Sequence, residues 1–219
     1  MRAADLLEGL RASLAPVEAA LRSHRVLAAL AEGRVAPERL NAIAGEQRHI
    51  IASDRRSFAQ LSARFPAAPA GPWFLAMAQA EDQAAALIDG YAAWLGLDEE
   101  WLRSYEPDPR AQCYPAFVAW LALNGSISAV SLAFLANLAA WGESCARVAA
   151  ALRGAYRAPD EAVAFFDFFA TPPPGFRDHT VHVLQAGLDA GEDPNEARRA
   201  GRLLQAYELM FWDALAEGL

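Results

Sequence analysis

The sequence predicts an all-α protein of about eight helices. Alanine is abundant and β-branched residues are sparse, a composition that favours helix. Apolar residues recur at spacings of three and four, and no stretch shows the alternation that a strand requires. Breaks containing proline and glycine divide the chain into segments of helical length. With 219 residues, 54% of them hydrophobic, the chain can bury a sizeable core, and we predict a single domain over residues 1–219.

The breaks place the helices in order along the chain. Residues 3–30 hold a pair of helices, and Pro37 begins a long segment. Asp108-Pro109 combines an N-cap residue with proline at the first helical position, and Asp193-Pro194 does the same before the last helix. The predicted segments after the first pair are 37–65, 72–95, 108–124, 126–153, 158–169, one that ends at 190, and 193–217.

The composition excludes several classes of function. All 19 basic residues are arginine, so no lysine can form a Schiff base. The net charge is −8 and no arginine-rich stripe appears, which argues against a nucleic-acid partner. Cys113 and Cys145 lack CxxC spacing and no signal peptide is evident, so we expect a cytoplasmic protein. The apolar run 126–141 contains Asn137 and is shorter than a membrane span, which predicts a core helix and no membrane partner.

Glu208 is a charged residue on an apolar stripe of the last predicted helix. The stripe consists of Ala197, Gly201, Leu204, Glu208, Phe211 and Leu215. Burying a carboxylate costs several kcal/mol unless it is paired, hydrogen-bonded or protonated, and functional sites are where such residues collect. Glu208 is therefore either a functional residue or a glutamate bonded to an arginine or tyrosine of the core.

The segment 126–153 is apolar nearly all round, which predicts that it is the central helix. Glu143 and Arg147 have the i,i+4 spacing of an ion pair and are expected to pair with each other. Asn137 has no local partner, so it either binds a ligand or bridges two helices. The abundant aromatic residues are mostly expected in the core, with a few forming a stacking pocket for a flat ligand.

A metal site is a second interpretation of the polar residues. Glu46 lies on an apolar ridge with His49 one turn further along, and Glu-x-x-His on one helix face can supply two metal ligands. Glu143, Asp178 and His182 are the candidates for further ligands. However, Asp178 and His182 fall on the polar side of their helix, where solvation explains them without a metal. We therefore predict no metal or other cofactor. The apolar ridge that carries Glu46 consists of Ile43, Glu46, Ile50, Asp54, Phe58 and Leu61.

The run Tyr207-Glu208-Leu209-Met210-Phe211-Trp212-Asp213 resembles a motif of the TenA/THI-4 family, whose members share the haem-oxygenase-like helical fold. The order of the helices and the positions of Glu143 and Cys145 are compatible with this family. The resemblance implies a haem-oxygenase-like bundle. It also implies an activity of the thiaminase II or aminopyrimidine aminohydrolase type, which salvages the thiamin pyrimidine.

The resemblance assigns acid/base and anchoring roles. The family's catalytic glutamate falls on Glu208, and its pyrimidine-binding aspartate falls on or near Glu46, which makes Glu46 the second catalytic candidate. His49 takes the place of an aromatic residue one turn later, and Tyr207 is a further ligand-binding candidate. The family's nucleophilic cysteine aligns with Asn137, and asparagine cannot add to a substrate as a thiolate does.

The resemblance also places the family's pocket tyrosines. One falls on Trp141 and another near Phe165 or Phe166, so both positions lack the hydroxyl group. The loss of these hydroxyls implies a substrate that differs from the usual pyrimidine. Trp141 and Phe165 are expected to stack on a ligand ring.

Three functions are therefore expected. The leading hypothesis is a C–N hydrolase, or a binder, that holds a small flat heterocycle inside the bundle. The second is a haem-oxygenase-like metal oxidase or a PqqC-like oxidase. The third is a ligand-binding or regulatory protein without catalysis. Relatives of this family are often oligomeric, so a homo-oligomer is expected.

Overall fold

The computed structural model describes residues 1–219 and consists of helices joined by loops, which confirms the all-α prediction. The helices are α1 (Ala3–Arg22), α2 (Arg25–Ala31), α3 (Pro37–Arg64), α4 (Ala70–Trp94), α5 (Glu99–Ser104), α6 (Cys113–Asn124), α7 (Ile127–Gly154), α8 (Asp160–Ala170), α9 (Phe176–Asp189) and α10 (Pro194–Leu215). The count of ten exceeds the prediction of about eight, in part because the short α5 was not recognised.

Four helices, α2, α5, α7 and α10, begin with a side-chain cap. The Ser126 side chain accepts a hydrogen bond from the Ala129 amide at the start of α7, and the Asp193 side chain accepts one from the Asn195 amide at the start of α10. The predicted start at Asp108 is wrong. Its carboxylate accepts the Arg110 amide at 2.8 Å, so the residues after it form a turn and α6 begins only at residue 113.

α7 is the central helix, as its apolar composition predicted. It packs against α1, α2, α6, α8, α9 and α10. The carboxylate of Glu192 accepts the backbone amides of Ile127 and Ser128 at 3.1 and 2.6 Å, which fixes the first turn of α7 with a charge that its dipole favours. By length and composition alone α7 resembles a membrane span, but 67% of its most apolar window is buried inside the bundle.

Two hydrophobic clusters meet around one cavity. The larger cluster includes Ile50, Ile51 and Phe211, and the second includes Trp73, Met77 and Phe134. All six of these side chains line the same cavity between α3, α4, α7 and α10. The fold therefore places the candidate site in the middle of the bundle, where the two clusters adjoin.

Candidate functional site

The interior cavity has a volume of about 200 Å³, enough for a small single-ring ligand. Its walls come from α3, α4, α6, α7, α8 and α10, together with the segment that joins α8 to α9 and the first residue of α9. Apolar and aromatic side chains form most of the lining. The polar members of the lining are Gln47, Asp54, Glu81, Tyr114, Asn137 and Glu208. An enclosed apolar cavity with a few polar groups is the usual form of a small-molecule site.

Glu208 on α10 is held by amide donors on one of its two oxygens. Asn137 Nδ2 donates to Glu208 Oε2 at 2.6 Å, and Gln205 Nε2 donates to the same oxygen at 3.2 Å. Glu208 Oε1 is buried and has no hydrogen-bond partner. The side chain thus has one fixed oxygen and one free oxygen, and no arginine neutralises it.

Burial raises the pKa of Glu208 to about 8, although the nearby indole N–H of Trp212 and the hydrogen bond from Gln205 favour the charged form. Only 3% of the residue is exposed. At pH 7 the carboxyl group is therefore largely protonated and can donate its proton. A carboxyl group that is neutral at the working pH, with a pKa close to that pH, has the property that a general acid needs.

Tyr114 on α6 extends this network. Its hydroxyl donates to Asn137 Oδ1 at 3.3 Å, so Asn137 links Tyr114 to Glu208. Burial raises the pKa of Tyr114 well above its usual value, and the nearby carboxyl groups of Asp54, Glu81 and Glu208 raise it further. The phenol therefore stays protonated and acts as a hydrogen-bond donor.

Asp54 on α3 and Glu81 on α4 form a second acidic feature of the lining. They are 3% and 8% exposed, and Asp54 Oδ1 has no hydrogen-bond partner. Burial raises the pKa of both groups well above the usual range, and the charge of Asp54 raises that of Glu81 further. The pair faces the same cavity as Glu208.

Aromatic rings form one wall of the cavity. Trp141 meets Phe169 and Phe211 edge-on, with ring centroids 6.1 and 5.8 Å apart. Phe168, Phe169 and Phe211 also line the cavity. Such edge-to-face packing fixes the rings and leaves flat apolar surface for a planar ligand.

Two of the residues predicted as site residues by the sequence lie at the cavity beside Glu208. Asn137 and Trp141 are one turn apart on α7 and both line it. Asn137 was expected either to bind a ligand or to bridge two helices. The structure shows that it bridges two helices, because its amide joins α7 to Glu208 on α10.

The structure corrects the expected position of Glu46, which does not line the cavity. Its carboxylate accepts the Tyr105 hydroxyl at 2.8 Å, the Asp108 amide at 2.7 Å and Gln112 Nε2 at 2.5 Å. These donors belong to the chain between α5 and α6. The buried charge of Glu46 is therefore satisfied by a loop, and its contact with the site is indirect, through the placement of α6.

Three further predicted ligand-binding residues also lie outside the lining. His49 is exposed, with its ring centroid 6.5 Å from that of Tyr105. Tyr207 packs against Phe117 with centroids 5.3 Å apart. Phe165 is fully buried in the core against neighbouring rings of α8, and the aromatic residues of α8 that reach the cavity are Phe168 and Phe169.

The metal-ligand candidates are not brought together. His49, Glu143, Asp178 and His182 are exposed, and Glu46 is occupied by the loop before α6. No group of three or more histidine, cysteine, aspartate or glutamate side chains converges as a metal site. The expected pairing of Glu143 with Arg147 is also absent, since Arg147 donates to the Arg22 carbonyl oxygen.

The sequence interpretation did not single out several lining residues. Asp54 lies on the same apolar ridge of α3 as Glu46, and Glu81 follows Trp73 and Met77 at intervals of four on α4. A charged residue on an apolar stripe was the signal that identified Glu208, and it applies equally to these two. Tyr114 gave no such signal, because a tyrosine among apolar residues is common in cores.

Comparison with known proteins identifies the family of this chain. A family model described as "TENA/THI-4/PQQC family" matches residues 11–217. The chain belongs to this family. No curated protein matches it.

Solved structures of the TENA/THI-4/PQQC family and its neighbours show the same fold. A TenA homologue from Pseudomonas syringae matches with a TM-score of 0.77 at 16% identity, covering 96% of this chain and 92% of that one. A Shewanella denitrificans domain with a haem oxygenase-like fold matches with a TM-score of 0.75 at 12% identity, covering 99% of this chain and 93% of that one. A candidate TenA-like thiaminase from Sulfolobus solfataricus matches with a TM-score of 0.61 at 12% identity, covering 95% of this chain and 94% of that one. The predicted haem-oxygenase-like fold is confirmed.

Proposed function

We propose that this TENA/THI-4/PQQC family protein hydrolyses a C–N bond of a small flat heterocycle, with Glu208 as the general acid/base. The observation that carries the proposal is the state of Glu208 in an apolar cavity. One of its oxygens is fixed by Asn137 and Gln205, the other is free, and its pKa is raised to about 8. Family membership and the likeness to a candidate thiaminase support a TenA-type activity.

The chemistry follows from a neutral carboxyl group. Glu208 donates its proton to the nitrogen that leaves or to a ring nitrogen, which makes the attached carbon more electrophilic. The oxygen of a water molecule bonds to that carbon, and the C–N bond breaks with its electron pair going to nitrogen. The Glu208 carboxylate then takes a proton from the attacking water, so the residue returns to its starting state and the products are an amine and an alcohol or carbonyl compound.

Water is the nucleophile in this proposal because neither cysteine lines the cavity. Cys145 is buried on α7, and burial raises the pKa of its thiol well above the usual value. Cys113 Sγ donates to the Pro109 carbonyl oxygen at 3.3 Å, outside the cavity. The resemblance puts Asn137 in the place of the nucleophilic cysteine of some relatives, and in this structure its amide donates to Glu208.

The aromatic wall supports a planar substrate. Trp141, Phe169 and Phe211 supply apolar surface on one side, and Trp73 supplies a donor, since its indole N–H is buried without a partner. A ring nitrogen or carbonyl oxygen would satisfy that N–H. A flat heterocycle offers both the surface and the acceptor.

The test is turnover by the purified protein of a panel of aminopyrimidines and of thiamin, with products measured by mass spectrometry. We expect release of an amine or base, and a loss of at least about 100-fold in kcat for Glu208→Gln, the usual size of general acid–base catalysis. Glu143→Gln is the matched control, because Glu143 is exposed on α7. No turnover of any compound by the wild-type protein, or equal turnover by Glu208→Gln, overturns the proposal. Binding without turnover favours the ligand-binding function instead.

A further inference from the structure

The buried carboxyl groups of Asp54 and Glu81 have no cation near them in the protein. α3 and α4 pack closely against each other and bring the two side chains to the same cavity. The next residues in sequence, Arg55 and Asp82, form an exposed ion pair on the outer side of the same two helices. The nearest arginine in sequence is therefore already paired outside, and Asp54 and Glu81 face inward without it.

The whole cavity lining contains acidic groups without basic ones. It contains three carboxyl groups, those of Asp54, Glu81 and Glu208, and no arginine or histidine, and the chain has no lysine. A buried carboxylate costs several kcal/mol when it is neither paired nor hydrogen-bonded. Glu208 has two amide donors on one oxygen, and Asp54, like Glu208, keeps one buried oxygen without a partner. A positive group is thus missing at the Asp54 side of the cavity.

A second orphaned group points to a ligand at the same place. Trp73 lines the cavity, and its indole Nε1 is buried and has no acceptor. Trp73, Met77 and Glu81 follow one another at intervals of four on α4, so they share one face. One face of α4 therefore carries an unused donor, Trp73, and one member of the acidic pair, Glu81.

We propose that the Asp54–Glu81 pair binds a positively charged nitrogen group of the ligand, an ammonium or an amidinium, while Trp73 donates to an acceptor on the same molecule. The proposal rests on the proposed function only in taking this cavity as the substrate site. It makes the substrate a cationic heterocycle or one bearing a protonated amine. A charge-assisted hydrogen bond to such a group is roughly twice as strong as a neutral one, and the apolar walls strengthen it further.

An organic cation suits the site better than a metal ion. Oxygen-bound metals require about six ligands, and no group of three or more candidate ligands converges in this chain. Two carboxyl groups at one cavity can accept the N–H groups of an amidinium, and the surrounding aromatic surface matches the rest of a flat molecule. Burial raises the pKa of both groups, which favours their neutral forms in the free protein.

Benzamidine and benzamide provide a direct test, since both are flat, nearly equal in shape, and differ in charge. Their affinities for the wild-type protein are measured by calorimetry at pH 8. We expect benzamidine to bind at least about tenfold more tightly than benzamide. The double variant Asp54→Asn/Glu81→Gln should lose that preference, whereas Asp82→Asn, the exposed neighbour, should keep it. Equal binding of the two compounds by the wild type overturns the proposal, as does a preference that survives in the double variant.

A measurement on the unmodified chain keeps the test valid should the double variant fail to fold. Benzamidine affinity should rise with pH, because the raised pKa values mean that the pair must release its protons to solvent before it binds the cation, while benzamide affinity should rise less. Glu208 and Tyr114 are the other titratable groups that face the cavity, so Glu208→Gln is measured in parallel and should retain the rise. A benzamidine affinity that does not change with pH overturns the proposal.

The two proposals fail separately. Turnover that depends on Glu208 without any preference for benzamidine leaves the hydrolase in place and removes the cation site. A preference for benzamidine that depends on Asp54 and Glu81, without turnover of any compound, leaves the cation site in place and removes the hydrolase.

Discussion

Replacing Glu208 by glutamine should make the protein more stable, by an amount that grows with pH. Glutamine keeps the shape of the side chain and can still accept the hydrogen bond from Asn137, but it carries no proton to lose. The perturbation therefore removes the titration of one buried group and little else. The expected gain in the free energy of unfolding follows from the pKa of that group.

The ordinary pKa of a glutamate is 4.5, and burial raises that of Glu208 to about 8. Below pH 4.5 the group is protonated in both the folded and the unfolded chain, so its titration costs nothing. Between these two pKa values the unfolded chain loses the proton and the folded chain keeps it, so stability falls by about 1.4 kcal/mol per pH unit. Above pH 8 both states are ionised, and the loss levels off at about 5 kcal/mol.

Urea denaturation of the wild type and of Glu208→Gln, at each pH from 5 to 9, measures this difference. The free energy of unfolding of the variant minus that of the wild type should rise by about 1.4 kcal/mol per pH unit up to about pH 8. Above that pH the difference should become constant. Any fixed effect of the substitution cancels, because only the change with pH is compared. Glu143→Gln, on an exposed site, should give a flat difference. A flat difference for Glu208→Gln as well would show that Glu208 titrates normally and refute the reasoning.

Two further substitutions test how the site is held in place, both by urea denaturation. Glu46→Ala should lower the free energy of unfolding by about 3 kcal/mol, because it leaves the donors of the loop before α6 without their acceptor, whereas the exposed Glu38→Ala should cost less than about 0.5 kcal/mol. Gly90→Ala would place a Cβ atom 2.4 Å from a backbone carbonyl oxygen of α8 and should cost about 1–3 kcal/mol. Gly9→Ala meets nothing within 4 Å and should stabilise α1 by about 0.5–1 kcal/mol. Equal effects within either pair would contradict the packing described above.

The sequence predicted the parts of this protein that depend on local rules. The predicted cap at Asp193 follows from side-chain chemistry within two residues, and the structure confirms it, whereas at Asp108 the same chemistry forms a turn. The burial of Glu208 follows from its place on an apolar stripe, which repeats with the period of the helix. Asn137 and Trp141 share a face of α7 for the same reason, so their joint position at the cavity was accessible too.

The remainder of the site depends on which neighbour covers each face, and helical periodicity does not encode that. Glu46 and Asp54 lie two turns apart on one ridge of α3, yet a loop between α5 and α6 covers the first and the cavity adjoins the second. Likewise Phe165 and Phe169 are one turn apart on α8, and only Phe169 reaches the cavity. These assignments required the tertiary arrangement of segments that are distant in sequence.

The acidic lining is best explained by function, because it works against stability. Pairs of buried charges are often replaced by apolar residues of similar size with no loss of stability, or with a gain. Asp54 and Glu81 lie between α3 and α4, where the neighbouring interior positions are apolar, and Asp54 has an oxygen that no protein group satisfies. Leucine or methionine would fit the surrounding surface and remove the desolvation cost. The ion pair of Arg55 with Asp82, one residue further along each helix, would already link the two helices without an inward-facing pair. A structural role therefore does not account for carboxyl groups at these two positions, which is why we propose a ligand that brings its own positive charge.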